Sequence, residues 1–211
     1  MALADQVAAR DPNDVRARAE AAATRVAVGW VVLQRDSAAA LTLLEPALAE
    51  LAALPEDLRV ANSAHDEWFA RCATAVARAR AGQREQALVE LTGAKAFVAR
   101  YFPDGVETLQ CQVFEAEVQA ALGQTDAAAA LLDQLVSALM VKAMTGLGLH
   151  QAIGVSEVLV RLAALRPAEA CPLLTRAVDH WTRSGPPTPF GERRRQHIAA
   201  AHARCGVAPI P

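Results

Sequence analysis

Aromatic side chains are scarce in this sequence: three Trp, one Tyr and five Phe make up 4% of its 211 residues. A core cannot be built around so few large rings, so burial has to come from the close approach of small side chains, and 49 alanines supply them. Lysine is rarer still. Only Lys95 and Lys142 stand among the 21 basic residues, an imbalance that fits a GC-rich bacterial coding sequence. Acidic and basic residues nearly cancel, leaving a formal charge of −2. That balance argues against nucleic acid and against an anionic membrane, both of which call for a positive field. Long apolar runs are missing too: Val26 to Leu33 spans eight residues, against the ~18 or more of a membrane span. Met1 to Arg10 carries acidic and polar residues where a secretory signal needs an apolar centre. The expectation is a soluble, cytoplasmic protein with no membrane partner.

Chemistry-bearing motifs are equally sparse. Cys72, Cys111, Cys171 and Cys205 are far apart and form no C-x-x-C pair. The first three sit in apolar helical contexts, where a free cysteine behaves as a small hydrophobe, and zinc would want ligand pairs at short spacing. His65-Asp66-Glu67 sets a base beside two carboxylates, but neighbours in a helix point to different sides and cannot converge on one atom. His197 and His202 are five apart, too far round for two ligands on one helix face, and read as a solvated stretch. No G-x-x-x-x-G-K-[ST] phosphate loop occurs. These absences leave no catalytic residue, cofactor or metal to assign, and the chain reads as a non-enzyme.

What is present is helix, because alanine has the highest helix propensity and no sustained alternation of period two appears. The strongest internal signal is a repeat. Gly82-Gln83-Arg84-Glu85-Gln86-Ala87 recurs 41 residues on as Gly123-Gln124-Thr125-Asp126-Ala127-Ala128, with Leu91 answering Leu132. Ala170 and Leu174 continue the register 42 residues later, and Gln34 to Ala38 is a weaker match. Each copy reads as helix, glycine turn, helix, the building unit of an α-solenoid.

In chain order, Asp11-Pro12 starts a first helix running to about Gln34, and Asp36 caps a second that Pro46 kinks or breaks. Further helices are expected over about 57–81, 84–100, 106–122 and from 126. Thr145 to Gly154 reads as an irregular hinge, followed by helices to Leu165, over 167–184 and over 191–204, with Gly185 to Pro189 as a rigid linker. The fold class expected is all-α: a single domain over 1–211, an α-solenoid of about four antiparallel helical hairpins and a C-terminal capping helix, with frayed ends at 1–10 and 205–211.

The glycine turn, the alanine five residues later and the leucine four further on resemble the turn and second helix of tetratricopeptide-like repeats, although 41 residues exceeds the ordinary ~34. Pro167-Ala168-Glu169-Ala170, Leu173-Leu174, Trp181, Gly185 and Phe190-Gly191-Glu192-Arg193 are similar to the last helical repeats of large bacterial ATPase-type transcriptional regulators. That second resemblance implies a regulatory, ligand-sensing repeat domain of a bacterial signalling or transcription-control system as the alternative function.

The tetratricopeptide-like resemblance implies a scaffold for protein–protein interaction whose first helices line a groove. In this register Phe69, Cys72, Val76, Gln110, Val113 and Glu117 would offer a mostly apolar surface to a protein or peptide partner, or to a second copy of the chain. Arg193-Arg194-Arg195 form the one basic cluster, which reads first as a solvated helix face and second as a possible anion-binding site.

Overall fold

The computed structural model describes residues 2–11, 13–59, 63–144, 149–182 and 189–205, excepting the side chains of 2–4, 141–144, 149–153, 189–191, 193–195 and 197. The described residues are all-α and include no strand. None of their helices is long and apolar enough to cross a membrane. The chain divides into two compact units, Met1–Gly123 and Gln124–Pro211; the sequence reading placed no boundary there.

In the first unit, α1 (Ala2–Arg10), α2 (Val15–Leu33) and α3 (Ser37–Ala52) are followed by a single turn, α4 (Glu56–Leu58), and by α5 (Ala64–Arg80), α6 (Arg84–Tyr101) and α7 (Val106–Ala121). Residues 1–10 had been expected to fray. Instead α1 packs on α2, because Arg25 of α2 bonds Asp5 at 2.8 Å and, with its other nitrogen, Glu50 of α3 at 3.0 Å. Asp14, rather than Asp11, caps α2, its carboxylate accepting the Ala17 N–H at 3.0 Å. Asp36 caps α3 as expected, accepting from Ala39 at 2.9 Å. The third helix continues unbroken through Pro46.

Two positions show where the fold needs glycine. A Cβ built on Gly29 would lie 2.8 Å from Leu44 Cδ2, so α2 and α3 approach closely enough that any side chain there would force Leu44 to move. The α5–α6 turn needs Gly82 at φ +77°, and Gly123 repeats that conformation at φ +79°, the left-handed region that glycine enters without steric cost. The repeated sequence thus gives a repeated turn. Ala87 and Ala128, the matched alanines beyond each turn, are both 0% exposed.

The core of this unit joins Val26 and Leu33 of α2, Leu44 and Leu51 of α3, Trp68 and Val76 of α5, Leu91 and Val98 of α6, and Phe114 and Val118 of α7. Helix α5 is its axis, in contact with α2, α3, α6 and α7.

The second unit holds α8 (Thr125–Met144), α9 (Leu149–Leu165), a 3₁₀ turn at Pro167–Glu169, α10 (Ala170–Thr182) and α11 (Pro189–Ala203). Each α-helix packs on the next. Ser156 of α9 donates to the Ala177 carbonyl of α10 at 3.0 Å. Gly154, expected in a hinge, lies inside α9, where a Cβ would make only ordinary contact, 3.9 Å from Leu139 Cδ1, so the helix carries glycine's ~1 kcal/mol penalty without a steric need for it. Residues 145–148 of that expected hinge, the Gly185 to Pro189 linker up to Thr188, and the tail from 206 lie outside the described residues.

The reading of Cys171 as a free, small hydrophobe is corrected here. Cys171, at the start of α10, and Cys205, just past α11, form a disulfide with Cα atoms 5.6 Å apart. His202 was read as solvated but is buried, its Nε2 2.9 Å from the Thr175 hydroxyl. With Ile198, also buried, it fixes α11 on α10.

Candidate interaction face

Three helices of the first unit each contribute one aromatic ring to a common cluster. Trp30 comes from α2, Phe69 from α5 and Phe114 from α7. Their centroids are 5.4 Å apart for Trp30–Phe69, 5.4 Å for Trp30–Phe114 and 5.6 Å for Phe69–Phe114, all edge-to-face. Trp68 lies beside them, 6.2 Å from Phe114, and is buried. Positive ring edges meet negative ring faces in this arrangement, each pair being worth about 0.5–1.5 kcal/mol beyond burial. Trp30 and Phe69 remain half-buried, so the cluster is both part of the core and part of the surface.

The residues assigned to a groove divide. Phe69 belongs to the cluster, Val113 is half-buried and Gln110 exposed on α7. Glu117 pairs with Arg80 of α5 at 3.3 Å, and the same guanidinium donates to the Leu33 carbonyl of α2 at 3.0 Å. Its role is therefore at least partly to tie the three helices together. Cys72 and Val76 are 0% exposed and line no groove, because α5 is surrounded by helices on several sides. The side chains of Arg193, Arg194 and Arg195 lie outside the described residues.

The sequence assigns no functional role to half-buried Trp30 or to buried Phe114. Their spacings from Phe69, 39 and 45 residues, bracket the 41-residue repeat, and that register could have grouped them.

His65, Asp66 and Glu67 point apart, as helical geometry requires. His65 is exposed. Asp66 lines a cavity of about 320 Å³ with Val15, Ala19, Leu54 and Ser63, and burial raises its carboxyl above the usual range, against a smaller opposing effect of His65. Glu67 is buried between Arg59 and Arg71. Among the described residues no three His, Cys, Asp or Glu side chains gather as a metal site would need.

A second cavity, about 250 Å³, lies between α6 and α7 and is lined by Lys95, Val98, Pro103, Thr108, Cys111 and Glu115, among others. Lys95 and Glu115 are already paired at 2.9 Å. No family model matches the chain, and neither a curated protein nor a solved structure does. Its function is therefore read from its own geometry.

Proposed function

We propose that the chain is a non-enzymatic protein-interaction module, built as a tetratricopeptide-like helical array, that binds an apolar or amphipathic segment of a partner protein on the face formed by α2, α5 and α7. The observation that carries this reading is the aromatic cluster in which half-buried Trp30 and Phe69 meet the buried ring of Phe114. In a chain with so few rings, three helices of the first unit place one each at a common point. Half-buried aromatics held rigid by their neighbours suit binding, since they offer large apolar area at small entropic cost. Val113 and Gln110 extend the face along α7 and supply an apolar contact beside a polar one.

A peptide-display selection against the purified chain tests it. The expected ligands carry apolar residues at helical spacing, and Phe69→Ala and Val113→Asp each abolish their binding while circular dichroism stays unchanged. Arg194→Ala leaves that binding intact. Selection instead of acidic ligands whose binding falls steeply with salt and is lost on Arg194→Ala would replace this reading with the ligand-sensing alternative.

A further inference from the structure

Cys72 on α5 and Cys111 on α7 bring their sulfur atoms to 3.9 Å, and neither is in a disulfide. They are 0% and 3% exposed. The pair is not sealed equally, because Cys111 also lines the α6–α7 cavity of about 250 Å³, whose half-exposed Lys95 marks the solvent side. That volume is several times the ~30 Å³ share of a water molecule in the liquid. A third group faces the same sulfur: the Trp68 indole N–H, buried and without a satisfying hydrogen-bond partner, lies where it favours negative charge on Cys111.

We propose that Cys72 and Cys111 form an oxidisable dithiol in which Cys111 meets a small hydroperoxide entering through the α6–α7 cavity and Cys72 resolves the product to a disulfide. The two sulfurs are electrostatically unequal. A hydrogen bond from Cys72 is the largest influence drawing the Cys111 thiol below its ordinary range, aided by Trp68 and Lys95 and opposed by burial and Glu115. Burial pushes Cys72 upward. The thiolate is the nucleophile, which assigns the first step to Cys111.

In that step Cys111 sulfur attacks one oxygen of hydrogen peroxide. An S–O bond forms, the O–O bond breaks, and the departing hydroxide takes up the thiol proton as water. Cys72 sulfur then attacks the sulfenic sulfur, forming S–S and breaking S–O; the Cys72 proton leaves with the hydroxyl as a second water. Two thiols are oxidised and one peroxide is reduced. The sulfurs must close by roughly 2 Å to reach bonding distance, a movement shared between side-chain rotation and the packing of α5 on α7. Cys72 lies one helical turn after Phe69, and Cys111 one turn before Phe114. Closure therefore acts on the aromatic face, a consequence that rests on the proposed interaction function; the thiol chemistry does not.

The test is peroxide treatment of the purified full chain, denaturing alkylation and peptide mass mapping. The expected result is loss of two alkylatable thiols and a dithiothreitol-reversible crosslink between the Cys72 and Cys111 peptides. Cys72→Ser should stop at a dimedone-trapped sulfenic acid on Cys111, and Cys111→Ser should leave Cys72 alkylatable. If either variant fails to fold, the crosslink map of the unsubstituted chain decides alone. Two thiols that stay alkylatable at peroxide levels oxidising free cysteine completely would overturn the proposal, as would sulfenic acid trapped on Cys72 in the Cys111→Ser protein. Loss of peptide binding by Phe69→Ala with no crosslink would sink the dithiol and spare the interaction face; the crosslink without peptide binding would do the opposite.

Discussion

Glu67 accepts a hydrogen bond from Arg71 at 2.7 Å with only 1% of its own surface exposed. Its other oxygen stands 3.0 Å from Arg59 Nε, off the line of a hydrogen bond, while Arg71 reaches on to Glu90 of α6 at 3.2 Å. One buried carboxylate thus anchors the segment before α5 to α5 itself and, through Arg71, to α6. Removing it leaves two guanidinium groups without their central charge. Glu67→Ala should destabilise the first unit by about 2 to 4 kcal/mol, measured by urea unfolding. A change under half a kcal/mol would show that water replaces the carboxylate without cost.

Gly29 and Gly93 make an opposed pair. Alanine in a helix interior gains about 1 kcal/mol over glycine, so both substitutions would stabilise an open helix. At Gly29 the new methyl meets Leu44 at 2.8 and 2.9 Å, whereas at Gly93 the nearest atom is Arg71 Nη1 at 3.5 Å. Gly29→Ala should lower stability by about 1 to 2 kcal/mol, and Gly93→Ala should raise it by roughly 0.5 to 1. Thermal melts of the two variants should move in opposite directions.

The matched alanines of the repeat provide a third expectation. Ala87 and Ala128 are both 0% exposed, and leucine at either adds volume that closely packed helices do not absorb. Each substitution should cost about 1 to 3 kcal/mol. Midpoints that stay in place for both would mean the shared register carries no shared packing.

Cys171 and Cys205 are 34 residues apart in sequence, and a crosslink closing a loop of that length stabilises by about 3 to 4 kcal/mol in the chain-entropy account. Cys171→Ser should lower the melting temperature of the second unit and loosen α11, read as faster amide exchange around Ile198. Disulfides persist in oxidising compartments, so a thiol count on protein taken directly from the cell bears on the cytoplasmic expectation. Two thiols would indicate the bridge, and four a reduced chain.

Much of the backbone was legible because its causes are local. The positive φ of Gly82 and Gly123 follows from a turn that only a residue lacking Cβ enters freely, and the Asp36 cap from an oxygen three residues before the N–H it accepts. Local causes can also compete within a few residues: Asp14 took the cap assigned to Asp11, and Gly154 lies inside α9 because a lone glycine weakens a helix by ~1 kcal/mol without ending it.

The candidate face and the thiol pairs had no such signal. Whether Trp30 meets Phe69 and Phe114, whether Cys72 faces Cys111, and whether Cys171 reaches Cys205 depend on the rotation and tilt of whole helices. Some tens of degrees about a helix axis, at a side-chain radius of about 5–6 Å, move a side chain by several ångströms, from a neighbour into solvent, while leaving every local propensity unchanged. The sequence by itself determined most of where the described residues are helical and where they turn, though not the helix at Ala2–Arg10 or the helical Gly154. Only the tertiary structure decided which side chains, tens of residues apart, share a surface or a bond, because that choice is made by packing entire helix faces against one another.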